Sequence, residues 1–316
     1  MSSAWDGLLN NKNISQLPHY AINKSLPSDS YFTSKETAKK CFDCLNNIVE
    51  TNGYTFVEPS AGSGVFYDLL PKDKRIGVEL HNRRSDFIQK DYLTWFPKDE
   101  NKKYIVVGNP PFGIRGAYAL AFIKRSFLFA DYVAFILPMS FHSNGKGSNM
   151  KRVKNGHLIY SEIFEKENYF SPDNNKEIKV NTLFQIWKKG DGESIFKDYD
   201  VTEYADIYTV CNSPDRMCGL KKIGVYDFYV SSSYFGNSLK TVYCFDEVKY
   251  GSGYGIILKN KKTKILSKVH NVEWNNYSSI ATNSCKHIRK HSIEKCLFEL
   301  GFGKIKNDEN NLQKFM

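Results

Sequence analysis

No stretch of this chain is apolar for long enough to span a bilayer, and its first residues, MSSAWDGLLNNKN, hold neither the basic nor the apolar region of a signal peptide. From those two absences no helical membrane span is expected, and a location in the cytosol or nucleus is expected. Cysteine is scarce and odd in number, 7 in 316 residues, which excludes a disulfide framework as the source of stability. Its only close pair, Cys41 and Cys44, lies in a helical pattern with no second pair at metal-ligand spacing. His287 and His291 are four apart but lack the HExxH context, so no metal site is expected. Acidic residues are the minority charge, 34 against 44 Lys and Arg, and a net charge of +10 favours a polyanionic partner. Proline is sparse as well, 10 in all, which makes the adjacent Pro110 and Pro111 conspicuous.

What is present is an alternation. KETAKKCFDCLNNIVE is helical, headed by a Thr-x-x-Glu capping box at Thr33–Glu36. TFVEPSAGSG reads as a strand entering a glycine turn, VFYDLLP as the start of a helix and RIGVELH as a second strand. DFIQKDYLTW is mixed, KYIVVGNPPFG is strand and turn, GAYALAFIKRSFLFA an amphipathic helix and DYVAFILPMSF a buried strand. An alternating strand, VNTLFQIWKK, follows a polar loop and closes the region as an antiparallel strand or hairpin. The pattern predicts an α/β, Rossmann-like, doubly wound sheet over residues 30–194, preceded by an N-terminal segment, 1–29. From 195 to 316 helical periodicity fades and Tyr-, Phe- and Val-rich runs (DIYTV, VYDFYV, TVYCF) alternate with turns, which predicts a second, smaller, strand-containing domain. Basic clusters punctuate it at Lys221-Lys222, Lys259–Lys262 and Lys286–Lys290; Gly251–Gly255 reads as a flexible turn, and the last residues as a loose tail.

The stretch VGNPPFG ends a buried strand with an amide, two prolines and a ring. Prolines cannot extend a hydrogen-bonded ladder, so the strand stops near Pro110 and a rigid turn presents Asn109 and Phe112 at its carboxyl end. That is where ligands bind in open α/β sheets. An aromatic amino nitrogen such as adenine N6 is a poor nucleophile, because its lone pair is delocalised into the ring. Two acceptors, the Asn109 side-chain oxygen and the Pro110 carbonyl, would draw that nitrogen towards a tetrahedral geometry and aim its lone pair.

A second constellation concerns a cofactor. Glu58-Pro59-Ser60-Ala61-Gly62-Ser63-Gly64 closes the first strand with glycines that admit a ligand near the backbone, although Tyr67 stands where a dinucleotide fingerprint would place its third glycine. Glu79 ends the next strand about 20 residues after Glu58, the interval at which an acid meets ribose hydroxyls. Asp91, after a third short strand, can accept from an adenine amino group. In this order the acids describe an adenosine-containing cofactor.

EPSAGSG, GVEL, DFIQKDYLTW and NPPF, preceded by YFTSKETA, resemble the ordered motifs of S-adenosylmethionine-dependent N6-adenine DNA methyltransferases of the kind whose target-recognition domain is C-terminal, as in restriction-modification systems. The resemblance covers roughly Ser30 to Lys189. It implies S-adenosyl-L-methionine as cofactor, bound by Tyr31, Phe32, Thr33, Glu58, Ser60, Ala61, Gly62, Glu79, Asp91 and Asn109. It further implies catalysis by Asn109, Pro110, Pro111 and Phe112 on a flipped-out adenine stacked by Phe112, where the commoner residue is tyrosine. Phe170 is the candidate for the opposite face of the base.

The expected partner is double-stranded DNA, with residues 195–316 as the target-recognition domain and Lys261 and Lys262 as phosphate contacts. A monomer is expected, in a bacterial cytoplasm or, for a viral protein, in the host cytoplasm or nucleus. Asn-Pro-Pro turns also serve RNA adenine-N6 and protein glutamine methyltransferases, since a planar amide nitrogen poses the same problem. A noncatalytic nucleic-acid-binding protein is the third reading; the intact glycine loop and Asn109 argue against it.

Overall fold

The computed structural model describes residues 31–142, 147–170, 176–212, 225–280 and 285–306. Lys221-Lys222, the last ten residues and the segment 1–29 fall outside this set. The chain divides into two units, one running to Ile195 and the other starting at Phe196.

In the first unit eight strands form one sheet: β1 (Phe32–Thr33), β2 (Tyr54–Glu58), β3 (Arg75–Glu79), β4 (Ile88–Gln89), β5 (Lys103–Gly108), β6 (Tyr132–Pro138), β7 (Gly156–Phe170) and β8 (Glu177–Lys189). Their spatial order is β1-β7-β8-β6-β5-β2-β3-β4. The five strands from β6 to β4 are parallel, while β8 runs antiparallel to both β6 and β7, and β1 antiparallel to β7. The chain winds outward from β2 through β3 to β4, then returns to lay β5 on the other side of β2. This reversal is the topological switch point of a Rossmann-like, doubly wound sheet.

Alternation along the strands supplies two apolar faces. Phe56, Ile105, Val107, Ala134 and Ile136 pack with Ala38, Cys41 and Leu45 of α1 (Lys35–Ile48). On the opposite face Tyr104 meets Phe129, which together with Tyr92 and Trp95 forms an aromatic cluster joined by Phe122 of α2 (Ala117–Ser126). One short helix, α3 (Asn149–Arg152), precedes β7.

Two local expectations are corrected. The cap of α1 is Ser34, whose hydroxyl oxygen accepts the Thr37 N–H at 3.0 Å, so Thr33 is released from the capping role. The turn after β2 feeds only a 3₁₀ turn, Tyr67–Leu69, because the stretch between Gly64 and Pro71 is too short for a helix of useful length. The expected antiparallel strand beyond the polar loop is present as β8, one arm of a long hairpin, β7–β8, whose first arm reaches back to Gly156.

The second unit carries β9 (Tyr199–Asp200), β10 (Ala205–Cys211), β11 (Phe228–Ser231), β12 (Ser233–Tyr234), β13 (Ser252–Leu258), β14 (Ser279–Ile280), β15 (Lys286–His287) and β16 (Lys304–Ile305). These form sheets in the orders β10-β13-β11, β12-β15-β14 and β16-β9, all antiparallel. Two helices, α4 (Lys262–Val269) and α5 (Lys290–Glu299), pack Ile265, Val269, Ile293 and Leu297 onto a core with Phe228, Ile256 and Trp274. Each amphipathic stretch is short and opens on a basic run, which conceals its period. The glycine-rich Gly251–Gly255 is largely the start of β13, the central strand, and not a free turn. A Cβ at Gly255 would lie 2.6 Å from the Tyr226 ring, so the glycine makes room for that ring. No described helix is long and apolar enough to cross a membrane.

Candidate active site

At the carboxyl ends of β2, β3 and β5 the first unit opens into a cleft of about 420 Å³, within the range of small-molecule and cofactor sites. Its walls include Tyr31, Phe32, Ser60, Gly62, Glu79 and Asp91, together with Asn109, Pro110, Pro111 and Phe112. Residues chosen from five separate stretches of sequence thus share one cavity at the switch point.

The glycine turn is held from below. Ala61 is buried and its N–H donates to the Val78 carbonyl, which ties the turn to β3. Gly62 has φ +53°, and its N–H donates to Glu79 Oε2 at 2.7 Å. Glu79 also accepts from the His81 N–H at 3.1 Å through Oε1, with the Arg83 guanidinium 3.7 Å away. A carboxylate offers about four lone-pair sites, so these two bonds leave acceptor capacity towards the cleft. Asp91 is exposed; Oδ1 accepts the Leu93 N–H at 2.9 Å, which sets its rotamer.

Glu58 behaves differently. It is buried behind the cleft, where Oε2 accepts the Tyr67 N–H at 2.8 Å and so fixes the far end of the glycine turn. Burial pushes its carboxyl well above the ordinary range, against the opposing pull of the Tyr67 bond. A raised carboxyl pKa means that the neutral form is the one the fold favours. That contribution is fully present below the unfolded value near 4.5 and is lost as pH rises through the folded value. Glu58→Gln keeps an acceptor for Tyr67 without the charge. The variant is therefore expected to match the parent in denaturation midpoint at acid pH and to exceed it near pH 8. Parallel midpoints across about pH 5 to 8 would show instead that the carboxylate is charged in the fold.

Asn109 is the most constrained residue of the cleft. Its Nδ2 donates to the Tyr31 carbonyl at 3.3 Å and to Thr33 Oγ1 at 3.1 Å, and its backbone carbonyl accepts from Ser60 Oγ at 3.1 Å. A carbonyl can only accept, so the amide nitrogen must face Tyr31 and the orientation of the group is settled. The other end, Oδ1, is buried with no hydrogen-bond partner among the described residues. Such an acceptor costs about 1–3 kcal/mol when left unmade, and a fold retains it where a ligand completes it. Next to it, Pro110 is buried, and the half-buried Phe112 presents its ring at the cleft while its carbonyl accepts the Tyr118 N–H at 3.1 Å.

Six of the predicted site residues are not among those lining the cleft: Thr33, Glu58, Ala61, Phe170, Lys261 and Lys262. Phe170, the last residue of β7, does not line the cleft; its neighbour Tyr169 does, because successive strand residues point to opposite faces. Tyr169 is locked there by a 2.7 Å hydrogen bond with Thr182 Oγ1. Lys261 and Lys262 belong to the second unit. The Lys261 ammonium sits 5.3 Å from the centre of the Tyr204 ring, and Lys262 is ion-paired with Asp227. Sequence reasoning also missed Leu80, His81 and Arg83, which line the cleft directly after Glu79. Their signal was position: residues that follow an acid at the end of an inner strand face the same crevice.

No protein-family model matches the chain. The modification methylase CviBIII of Paramecium bursaria Chlorella virus NC1A is 30% identical over 101 residues, a match spanning 27% of this chain and 26% of that protein. The chain thus aligns with about a quarter of that relative's length. Among solved structures, a protein of Pyrococcus horikoshii proposed to be an RNA methyltransferase has a TM-score of 0.40 at 17% identity, covering 60% of this chain and all of that one. The methyltransferase subunit of a type I restriction-modification system from Streptococcus thermophilus has a TM-score of 0.37 at 16% identity, covering 51% of this chain and 45% of that chain.

Proposed function

We propose that the chain is a DNA adenine-N6 methyltransferase that takes its methyl group from S-adenosyl-L-methionine and acts on an adenine turned out of the duplex. The observation that carries this reading is the buried, unpartnered Asn109 Oδ1 beside the Pro110-Pro111 turn. The 30% match to a viral modification methylase supports it.

The residues present suit the cofactor. Gly62 leaves open a space that a Cβ would fill, 3.2 Å from the Phe32 ring. Glu79 and Asp91 put carboxylates where ribose hydroxyls and an adenine amino group need acceptors, while Tyr31 and Phe32 offer apolar walls. S-adenosyl-L-methionine would supply an electrophilic methyl group on sulfur. Everything else falls to the chain. Asn109 Oδ1 and the Pro110 carbonyl accept the two N6 hydrogens of the adenine and hold its lone pair out of the ring plane. Phe112 stacks on the base and excludes water. Neither step requires an ionised catalytic residue. The decisive assay is mass spectrometry of duplex DNA after incubation with the protein and labelled S-adenosyl-L-methionine: label is expected on adenine N6, and label on cytosine, RNA or glutamine alone would overturn the substrate assignment.

Residues 196–316 are proposed as the target reader. Two rings stand well out of this unit, Tyr250 at 65% and Phe235 at 55% exposure, the first directly after Lys249 and the second directly after Tyr234. The Lys249 and Lys286 ammonium groups both lie 6.0 Å from the Tyr234 ring. Lys261 carries its charge free of any carboxylate among the described residues, whereas Lys262 would have to give up Asp227 to reach a phosphate. Lys261→Ala is therefore expected to weaken binding to all duplexes alike and to flatten the salt dependence by about one counterion, with a smaller change for Lys262→Ala. Equal slopes in parent and Lys261→Ala would remove Lys261 from the interface.

A further inference from the structure

Thr33 sits at the seam between two jobs. It belongs to β1, the two-residue edge strand whose neighbours Tyr31 and Phe32 line the cleft, and it precedes the residue that caps α1. Its register partner on β7 is Tyr169, and the adjacent pair is Phe32 with Phe170, so the backbone at Thr33 is held against β7. Ser34 performs the capping through its own hydroxyl, and with that task taken Thr33 directs Oγ1 at Asn109 Nδ2, 3.1 Å away. Thr33 is itself buried.

The consequence follows from the symmetry of an amide. In shape the Asn109 side chain is nearly the same after a half-turn about its last bond, and only its partners decide which end is oxygen. The Tyr31 carbonyl, which can only accept, selects the orientation from 3.3 Å, and the Thr33 hydroxyl adds the shorter contact of 3.1 Å that holds the amide in it. A flipped amide would present hydrogens where the proposed substrate also presents hydrogens.

We infer that Thr33 is a positioning residue: its hydroxyl, together with the Tyr31 carbonyl, holds the Asn109 amide with its nitrogen turned to these two acceptors and its oxygen left for the substrate, making the transfer step dependent on a residue that need not touch the acceptor nitrogen. This rests on the methyltransferase reading but not on adenine as its substrate, because any planar amino or amide nitrogen requires the same oxygen.

The test compares the full-length parent with Thr33→Val, which keeps shape and loses the acceptor, and Thr33→Ser, which keeps the acceptor. For whichever substrate the parent methylates, Thr33→Val is expected to lower single-turnover methyl transfer about tenfold or more, and Thr33→Ser to restore it to within about threefold. S-adenosyl-L-methionine affinity is measured by calorimetry in each variant, and a loss of affinity that accounts for the lost transfer would overturn the inference. In ¹⁵N-labelled protein the Asn109 side-chain amide resonances, assigned by comparison with Asn109→Ala, should move in the Val variant and return in the Ser variant. Parental transfer rates in Thr33→Val would overturn the inference, as would equal losses in Val and Ser or unmoved Asn109 resonances. If the parent transfers no methyl group to any acceptor, the functional reading fails separately, and the amide resonances still decide whether Thr33 orients Asn109.

Discussion

Asn109→Ala is expected to bind S-adenosyl-L-methionine with nearly parental affinity and to transfer its methyl group about a hundred to a thousand times more slowly, the scale of loss when one preorganised polar partner of a reacting group is removed. The variant should also remain folded. Truncation removes an acceptor that is buried without a partner, and with it the cost of leaving that acceptor unmade, while the Tyr31 carbonyl and Thr33 hydroxyl lose a donor. These changes oppose one another, so the melting temperature should shift by only a few degrees. A large fall in catalysis without a large fall in stability is the signature to look for. Parental rates in the purified variant would exclude Asn109 from the chemistry.

Gly62→Val is expected to act on the other half of the cleft. At φ +53° a β-branched residue is strained, and its Cβ would press on the Phe32 ring from 3.2 Å. The ring is one wall of the proposed cofactor site, and the Gly62 N–H is one of the two backbone donors that hold Glu79 in place. Affinity for S-adenosyl-L-methionine should fall roughly a hundredfold, equivalent to about 2.7 kcal/mol, as measured by calorimetry. NAD should not bind the parent. A Val variant with intact affinity would mean that the cofactor does not approach this turn.

Much of this site could be read before any coordinates, and the reason is local. Prolines after a buried strand, glycines after another, and acids at strand ends each impose their geometry within a few residues, so Asn109, Gly62 and Glu79 announce themselves. What the sequence concealed was set by tertiary partners. Thr33 has the residue type and spacing of a helix cap, and only the fold shows Ser34 in that role. Phe170 and Tyr169 are equally aromatic neighbours, and the phase of β7 alone decides which of them faces the cleft. In the second unit two helices went unread because each is short and opens on lysines, and a glycine run that looks like a flexible turn is the start of a central strand. The pairing of Lys262 with Asp227 joins residues far apart in the chain, and no pattern within either segment foretells it.

The way the Asn109 amide is held also bears on when the site can form. Its anchors lie 76 and 78 residues upstream, and Ser60, which holds its backbone carbonyl, lies 49 away. The strand that carries the Thr33 hydroxyl is itself paired with the end of β7, beyond residue 168. Closing such loops is the slow part of assembling a sheet. During synthesis, therefore, the parallel strands can align while the amide is still free to rotate, and its orientation becomes fixed only when the far end of β7 has emerged and docked. Recovery of methyl transfer after dilution from denaturant should accordingly lag behind recovery of sheet structure, because the last contact to close is the one that points the oxygen.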